Sequence, residues 1–414
     1  MAEGLANLSE IKQKLTNFDE ALKLILSLKK NIKIKSERIN LTKSIGRILA
    51  RNLLSLCDSP PMDVSSMDGY AIKKKDHIIK NTLEVIDESS AGRPSKETIS
   101  TGKAVRIFTG ACIPAGADKV IIQENVRILP KNKIQIIDAT DLTNLFIRKK
   151  GADFKKGQYI GLNKIISPRE LLLLASMGYE RFEVIKKIKI SIISVGNELI
   201  KPGIRKNKNK VYASNAYGIA GLLNKYSCEC RIMPISYDTV PSIKKNLRNS
   251  LRNADLIITV GGASVGNYDL VKAAIQKIGA TFIFEKVNIK PGKPIFAGLL
   301  QQTPIIGLPG NPVSSYVCTQ LFIIPLINEL LSLQNENYKF LTAYLNSDIP
   351  RNGTRMHFMR GNVSLNKGKN IVIPKSNQDS SLVKTLQESN CLIIRPPHDY
   401  AKLKGDKIEI IKLI

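Results

Sequence analysis

The residues able to do chemistry are gathered between Leu256 and Ser315. The apolar run Asp255 to Val260 leads into Gly261-Gly-Ala-Ser-Val-Gly266. The chain then passes Lys286, Lys290 and Lys293 and reaches Gly307-Leu-Pro-Gly-Asn-Pro-Val-Ser-Ser315. Glycines after a strand let the backbone turn sharply and bring bare N–H groups close to a ligand. Asn311-Pro312 follows a second apolar run, Ile305 to Leu308. It reads as the N-cap and first residue of a helix extending to about Ser332. The positive end of that helix, the glycine amides and the ammonium groups together suit phosphate or another oxyanion. Glu198, Asp238 and Asp269 each follow a strand or its glycine turn. Acids at the same rim suit a divalent cation such as Mg²⁺ that bridges phosphate oxygens.

The elements that must position these groups alternate from Lys187 onward. Strands are expected at Ile188 to Val195, Glu229 to Ile235 and Asp255 to Val260. Helices are expected at Asn215 to Tyr226, capped by Ser214, and at Ser242 to Arg252. Such alternation predicts a parallel α/β sheet, whose ligands sit at the carboxyl ends of the strands. The acids, the Gly turns and the lysines should therefore share one crevice.

Around this unit the chain reads differently. Phe18 to Lys30 is helical, with Asn17 and Glu20 resembling a capping box. Ser9 to Leu15 reads as a helical lead-in, and Lys43 to Asn52 as another short helix. Asp58-Ser-Pro-Pro-Met-Asp63-Val-Ser-Ser-Met-Asp68 is either a tight connector held by side-chain-to-backbone bonds or a loop holding a cation or polar ligand. Asn81 to Thr140 is β-rich, with strands at Ala104 to Phe108 and Lys119 to Gln123. Ser167-Pro-Arg-Glu170 opens a helix that Gly178 ends. From Asn335 short β-like runs recur. There Arg355 and Arg360 flank a strand, and either stay on the surface or reach an anionic ligand.

The expected fold class is therefore α/β plus β and multidomain. A central parallel α/β sheet domain spans 187–334. A discontinuous helical and linker domain spans 1–55 and 146–186, with a small β domain, 56–145, inserted in it. A C-terminal β-barrel-like domain spans 335–414.

Composition narrows the function classes. The 414 residues carry a net charge of +28. Yet the lysines are spread along the whole chain, no nucleic-acid-binding motif accompanies them, and Trp is absent. Specific nucleic-acid binding is not expected. No stretch reads as a membrane span, and Met1 to Glu10 lacks the features of a signal peptide, so the cytoplasm is the expected compartment. Six scattered cysteines, of which only Cys228 and Cys230 are close, make no zinc pattern. With three histidines in the chain, a catalytic triad is not expected.

In order, Ser66-Met-Asp-Gly-Tyr-Ala71, Thr109-Gly-Ala-Cys-Ile-Pro-Ala-Gly-Ala-Asp118, Gly196-Asn-Glu-Leu199, Gly261-Gly-Ala-Ser-Val-Gly266, Lys290-Pro-Gly-Lys-Pro294 and Leu308-Pro-Gly-Asn-Pro-Val-Ser314 resemble the molybdopterin molybdenumtransferases, the MoeA-like enzymes related to the C-terminal region of gephyrin. The resemblance spans essentially the whole chain. It implies an elongated homodimer with a cleft shared between subunits. It implies insertion of molybdate into adenylylated molybdopterin with Mg²⁺, giving molybdenum cofactor and AMP, and it admits a molybdopterin adenylyltransferase as a partner.

On that reading Asp68, Thr109, Glu198, Asp238, Asp269, Lys286 and Lys290 serve catalysis, with Glu198, Asp238 and Asp269 as metal ligands. Binding falls to Gly261, Gly262, Ser264, Gly266, Lys293, Pro309, Gly310, Asn311, Ser314, Asp153, Ser380 and Arg360. Asp68 and Thr109 would reach the cleft from the partner subunit. One departure stands out: the family carries an acid in a Tyr-Asp-Ser-Asn stretch, and here it is Tyr212-Ala213-Ser214-Asn215. Alternatives are a molybdopterin adenylyltransferase, usually the α/β domain alone, and a non-catalytic scaffold or anion-binding protein.

Overall fold

Residues 15–141, 143–160, 165–262, 270–333 and 340–413 are described by the computed structural model. The helical lead-in at Ser9 to Leu15 lies almost wholly outside them, as do Ser264, Gly266 and Asp269.

The N-terminal helix α1 (Phe18–Ser27) starts where expected. The Asn17 side chain accepts the Glu20 N–H at 2.8 Å, and Phe18, Ala21 and Ile25 are buried on one face. It passes through one tighter turn (Leu28–Asn31) into β1 (Ser36–Asn40). The helix expected over Lys43 to Asn52 does not form. Leu41–Lys43 makes a single 3₁₀ turn, Gly46 takes φ +74°, and Ile48 and Leu49 run extended as bridge partners of Ile165 and Val184. The apolar spacing there serves the extended chain and not a helical face.

A small sheet follows, built from β2 (Gly69–Ile72), β3 (Thr82–Ser89), β4 (Lys103–Ile107), β5 (Lys119–Ile122), β6 (Val126–Leu129) and β7 (Lys133–Ile136) in the order β5-β2-β4-β3-β7-β6. Gly69 is required here, because a Cβ on it would sit 1.8 Å from the Ile121 carbonyl oxygen. The chain returns through α2 (Pro168–Ser176), whose Ser167 and Glu170 complete the capping box, to β8 (Arg181–Ile185), which pairs antiparallel with β1.

The central sheet contains β9 (Ile188–Ser194), α3 (Ser214–Asn224), β10 (Cys228–Ile232), α4 (Val240–Leu251), β11 (Leu256–Val260), α5 (Leu270–Gln276), β12 (Ala280–Phe284), β13 (Phe296–Leu300), β14 (Thr303–Leu308) and α6 (Pro312–Leu330). Its strand order is β10-β9-β11-β14-β13-β12. The first four strands are parallel, as expected, whereas β13 and β12 are added antiparallel, β13 joined to β14 by a tight turn and β12 to β13 by a longer excursion. Alternate residues feed two cores. Ile190, Ile192 and Ile258 pack with Ile219 and Leu223 of α3 and with α6, while Ile193, Ile257 and Ile305 pack with Ile243 and Leu247 of α4 and with α5. Each such isoleucine contributes ~1.5–3 kcal/mol by leaving water.

Helix α6 corrects one expectation. At 19 residues and a mean hydropathy of 1.3 it is long and apolar enough to cross a bilayer, but 83% of that span is buried inside the fold. Its apolar composition is that of a helix surrounded by protein.

The C-terminal part is a closed five-stranded barrel. It is built from β15 (Leu341–Leu345), β16 (Met356–Asn366), β17 (Lys369–Pro374), β18 (Cys391–Arg395) and β19 (Lys407–Lys412), with helix α7 (Val383–Gln387) between β17 and β18. Ile289–Lys290, from the central unit, pairs with its β16. The Phe18 ring packs against Phe322 of α6 at 5.4 Å and Phe358 of β16 at 5.2 Å, so one aromatic cluster joins three parts of the chain.

Ile258 is fully buried in the middle of the central sheet. Ile258→Ala is expected to cost ~2–5 kcal/mol through lost burial and a residual cavity, read as a lowered urea midpoint.

Candidate functional site

The three central parallel strands end level. Ser194 is paired with Val260, and Val260 with Leu308, so the loops that follow emerge side by side. They are Gly196-Asn-Glu198, Gly261-Gly262 and Pro309-Gly-Asn311. Gly261 takes φ +88°, and a Cβ there would lie 2.5 Å from the Val195 carbonyl oxygen. Gly262 takes φ +69°, and a Cβ would lie 2.3 Å from Val271 Cγ2. Only glycine lets these turns pack so closely. A Cβ on Gly310 would in turn meet Gly261 Cα at 3.5 Å.

These loops enclose a cavity of about 740 Å³ that Glu198, Asp238, Gly261, Gly262, Gly310 and Asn311 all line. Its walls are braced by hydrogen bonds. Asn197 N–H donates to Asp238 Oδ2 at 2.9 Å, and Asp238 N–H donates back to Asn197 Oδ1 at 3.0 Å. Asn215 Nδ2 donates to the Gly310 carbonyl at 2.7 Å. Asn311 precedes α6 as expected, but its side chain does not cap the helix; its Nδ2 donates to Ser380 Oγ at 2.8 Å. With Val313 N–H on the Ser380 carbonyl at 3.1 Å, this seats a barrel loop on the start of α6, and Ser381 of that loop lines the cavity. Tyr212, Ala213, Ser214 and Asn215 line it too. Ser214, expected as the cap of this helix, is instead its first residue, and the helix begins with no side-chain cap. Ser314 is buried in the first turn of α6.

The lysines stand apart from this cavity in the single chain. Lys286 lines a separate hollow of about 550 Å³ with Glu20 and Glu285, beside β12. The residues between β12 and β13 leave the central sheet, and Ile289–Lys290 joins the barrel. There Lys290 lies opposite His357, and Lys293 accepts the Val287 N–H on its carbonyl. His357 is buried. Burial, followed by the positive charges of Lys290, Arg355, Arg395 and Arg360, pushes its pKa down to about 4. Arg360 is not a surface residue. It is 2% exposed, its N–H and Nε donate to Gln378 Oε1 at 2.9 and 3.3 Å, and its Nη1 has no protein partner among the described residues. Lys290, Arg355, Arg360 and Arg395 thus all bear on a neutral imidazole, Arg395 being itself paired with Asp399.

Asp68 and Thr109 do meet. Asp68 Oδ1 accepts the Thr109 N–H at 2.7 Å and Oγ1 at 2.9 Å, and these bonds hold its carboxyl below the usual range. Neither residue lines this chain's own cavity. Asp58 and Asp63 follow the connector reading: they accept the Lys156 and Lys150 N–H groups at 2.8 and 2.9 Å and pair with lysines. Asp153 is exposed on the turn that faces them, its N–H on the Ser59 carbonyl. Among the described residues no three His, Cys, Asp or Glu side chains converge to hold a metal. All six cysteines are free, and burial pushes the Cys230 thiol up to about 12 and raises Cys228 in the same direction.

Three family models match this chain in order. The MoeA N-terminal region (domain I and II) covers residues 16–178, a probable molybdopterin binding domain 191–329, and the MoeA C-terminal region (domain IV) 342–413. A Haemophilus influenzae protein named molybdopterin molybdenumtransferase is 34% identical over 365 residues, 87% of this chain and 89% of its own length. A Nostoc protein of the same name is 30% identical over 390 residues, 91% of this chain and 89% of its own. A crystal structure of a molybdopterin biosynthesis moeA protein from Pyrococcus horikoshii superposes with a TM-score of 0.79 at 28% identity, covering 97% of this chain and 100% of that one.

Because His357 is held neutral by the fold, the unfolded chain binds the extra proton below its ordinary pKa of 6.5. Stability should therefore fall as pH drops from 6.5 to about 4 and level off below that. Urea midpoints across this range should show a shallower slope for His357→Gln than for the natural sequence.

Proposed function

The chain belongs to the molybdopterin molybdenumtransferase (MoeA) family, and we propose that it inserts molybdate into adenylylated molybdopterin, releasing AMP and leaving molybdenum cofactor. The observation that carries this reading is the set of level loops at the carboxyl ends of three parallel strands, closing on one cavity of about 740 Å³. A cavity of that size takes a nucleotide-sized ligand. Its glycine-rich turns and the start of α6 supply amides for phosphate oxygens.

The adenylyl phosphate is bound at Gly261, Gly262, Gly310 and Asn311, which orients the anhydride. Glu198 and Asp238 are hard oxygen donors on the same wall, and they are the described residues that would hold Mg²⁺, with Asp269 as the proposed third ligand. That cation would neutralise charge on the phosphate oxygens as the P–O bond breaks. Molybdate is a dianion, and the group of Lys290, Arg355 and Arg360 suits it. A buried guanidinium with an unpartnered Nη1 supplies a preorganised donor. Lys286 and Lys293 extend that positive field, and Ser380 ties the barrel loop to Asn311.

The Asp68–Thr109 pair lies off this chain's own cavity, which supports a homodimer in which a second copy supplies it and Asp153. The free thiols support a reducing compartment.

Purified protein given adenylylated molybdopterin and Mg²⁺ should release AMP only when molybdate is added; release that ignores molybdate would overturn the reading. The shared cleft is tested by mixing. Asp68→Ala and Glu198→Ala should each be inactive alone. Unfolded together and refolded, they should regain about a quarter of natural activity, since half the dimers are mixed and each mixed dimer has one intact site. No recovery would place both residues in one subunit's site.

A further inference from the structure

We propose that a second cavity, at the opposite pole of the central sheet, binds a compact oligophosphate. It lies at the amino ends of β9 and β11, about 270 Å³ in volume. Three segments meet there: 32–35 between α1 and β1, 186–189 from the β8–β9 link into the start of β9, and 251–255 from the end of α4 to the start of β11. Six of its thirteen lining residues are cations, namely Lys33, Lys35, Lys186, Lys187, Lys189 and Arg252. The whole chain has 63 lysines and arginines in 414 residues, so composition alone does not fill a cavity this way.

The one acid in the lining, Asp255, offsets only one of these six charges. Asp255 Oδ2 accepts the Lys189 N–H at 2.8 Å, and the Asp255 N–H donates to the Lys189 carbonyl at the same distance, which fixes the strand start. None of the six cations forms a salt bridge among the described residues. Folding therefore gathers six like charges from distant parts of the chain. A polyanion seated among them would relieve that repulsion and stabilise the native state by binding it preferentially.

Size and donor type define the ligand. The volume sits just below the roughly 300–1,000 Å³ usual for drug-sized pockets, which suits two or three linked phosphates better than a nucleoside. The nearby amides are already used: Lys186 N–H donates to the Lys35 carbonyl at 2.8 Å, and Ile188 N–H to the Ser227 carbonyl at 3.2 Å. Recognition falls to side-chain ammonium groups, which act as point charges and rank ligands by charge density. Tripolyphosphate should bind more tightly than pyrophosphate, and pyrophosphate more tightly than sulfate. Lys33 and Lys35 precede the central unit and Lys189 and Arg252 belong to it, so a bound anion would fasten the two across their joint.

The test uses the full chain and sodium tripolyphosphate at constant ionic strength, by calorimetric titration and thermal unfolding. Natural protein should show saturable binding and a raised Tm. The variant Lys186→Gln/Lys189→Gln/Arg252→Gln should bind about tenfold more weakly or worse. A control with the same net charge, Lys96→Gln/Lys277→Gln/Lys404→Gln, should bind as the natural protein does. Lys187→Gln, at an exposed position, should weaken binding in the same direction and serves if the triple variant is unstable. Equal weakening in both triple variants would reduce the effect to net charge. Unchanged binding in the first would move the ligand elsewhere, the larger cavity included. Absence of saturable binding would also overturn the proposal. Molybdate-dependent AMP release should be the same in the variant and the natural protein, which separates this site from the reaction proposed for the cleft.

Discussion

Parallel register is the constraint on which the rest of the structure depends. Ser194, Val260 and Leu308 are neighbours across the sheet, so three loops leave it at one height and must share a narrow space. That space is closed to side chains at two points. The Val195 carbonyl blocks any Cβ at 261, and Val271 blocks one at 262. The result is exposed main chain at the sheet end, the feature that suits a phosphate. The two cores formed by alternate isoleucines hold the strands, so the loops inherit the rigidity of the sheet.

The same end of the sheet is where the barrel is attached. Asn311 gives up its capping role to bond Ser380, and the main chain at Val313 adds a second link. The Phe18, Phe322 and Phe358 rings pin the N-terminal helix, α6 and the barrel into one cluster. The barrel also takes Ile289–Lys290 as an extra strand, which brings Lys290 opposite the buried His357. Positive charge is therefore concentrated at the junction of the two units, next to the loop that borders the cavity. An imidazole kept neutral there adds no further repulsion.

Where a local rule had no competitor, the sequence was enough. The glycine turns, the strand–helix alternation, the Asn17 cap and the Ser167–Glu170 capping box were all legible. Reading failed where tertiary context chose between local options. Lys43 to Asn52 has helical apolar spacing, yet Ile48 and Leu49 are used as bridge partners in extended chain. Asn311 has the right type and position for a cap, yet a barrel serine sixty-nine residues away takes its amide. The lysines were expected in the crevice because they lie between its two loops in sequence. The antiparallel strands β12 and β13 and the detour to the barrel carry them outward instead. Arg360 gave no signal of burial, since its partner Gln378 sits in a loop with no periodicity. Asp58 and Asp63 resolved toward backbone bonding, which spacing alone could not decide.

The most direct measurement is a crystal structure of this protein with AMP bound. The nucleotide phosphate should lie within hydrogen-bonding distance of the main chain at Gly261 to Gly262 or Gly310 to Asn311, inside the cavity that Glu198 and Asp238 line. A phosphate seated away from those turns, with that cavity holding no part of the nucleotide, would contradict the assignment of the level strand ends as the place where the substrate is held.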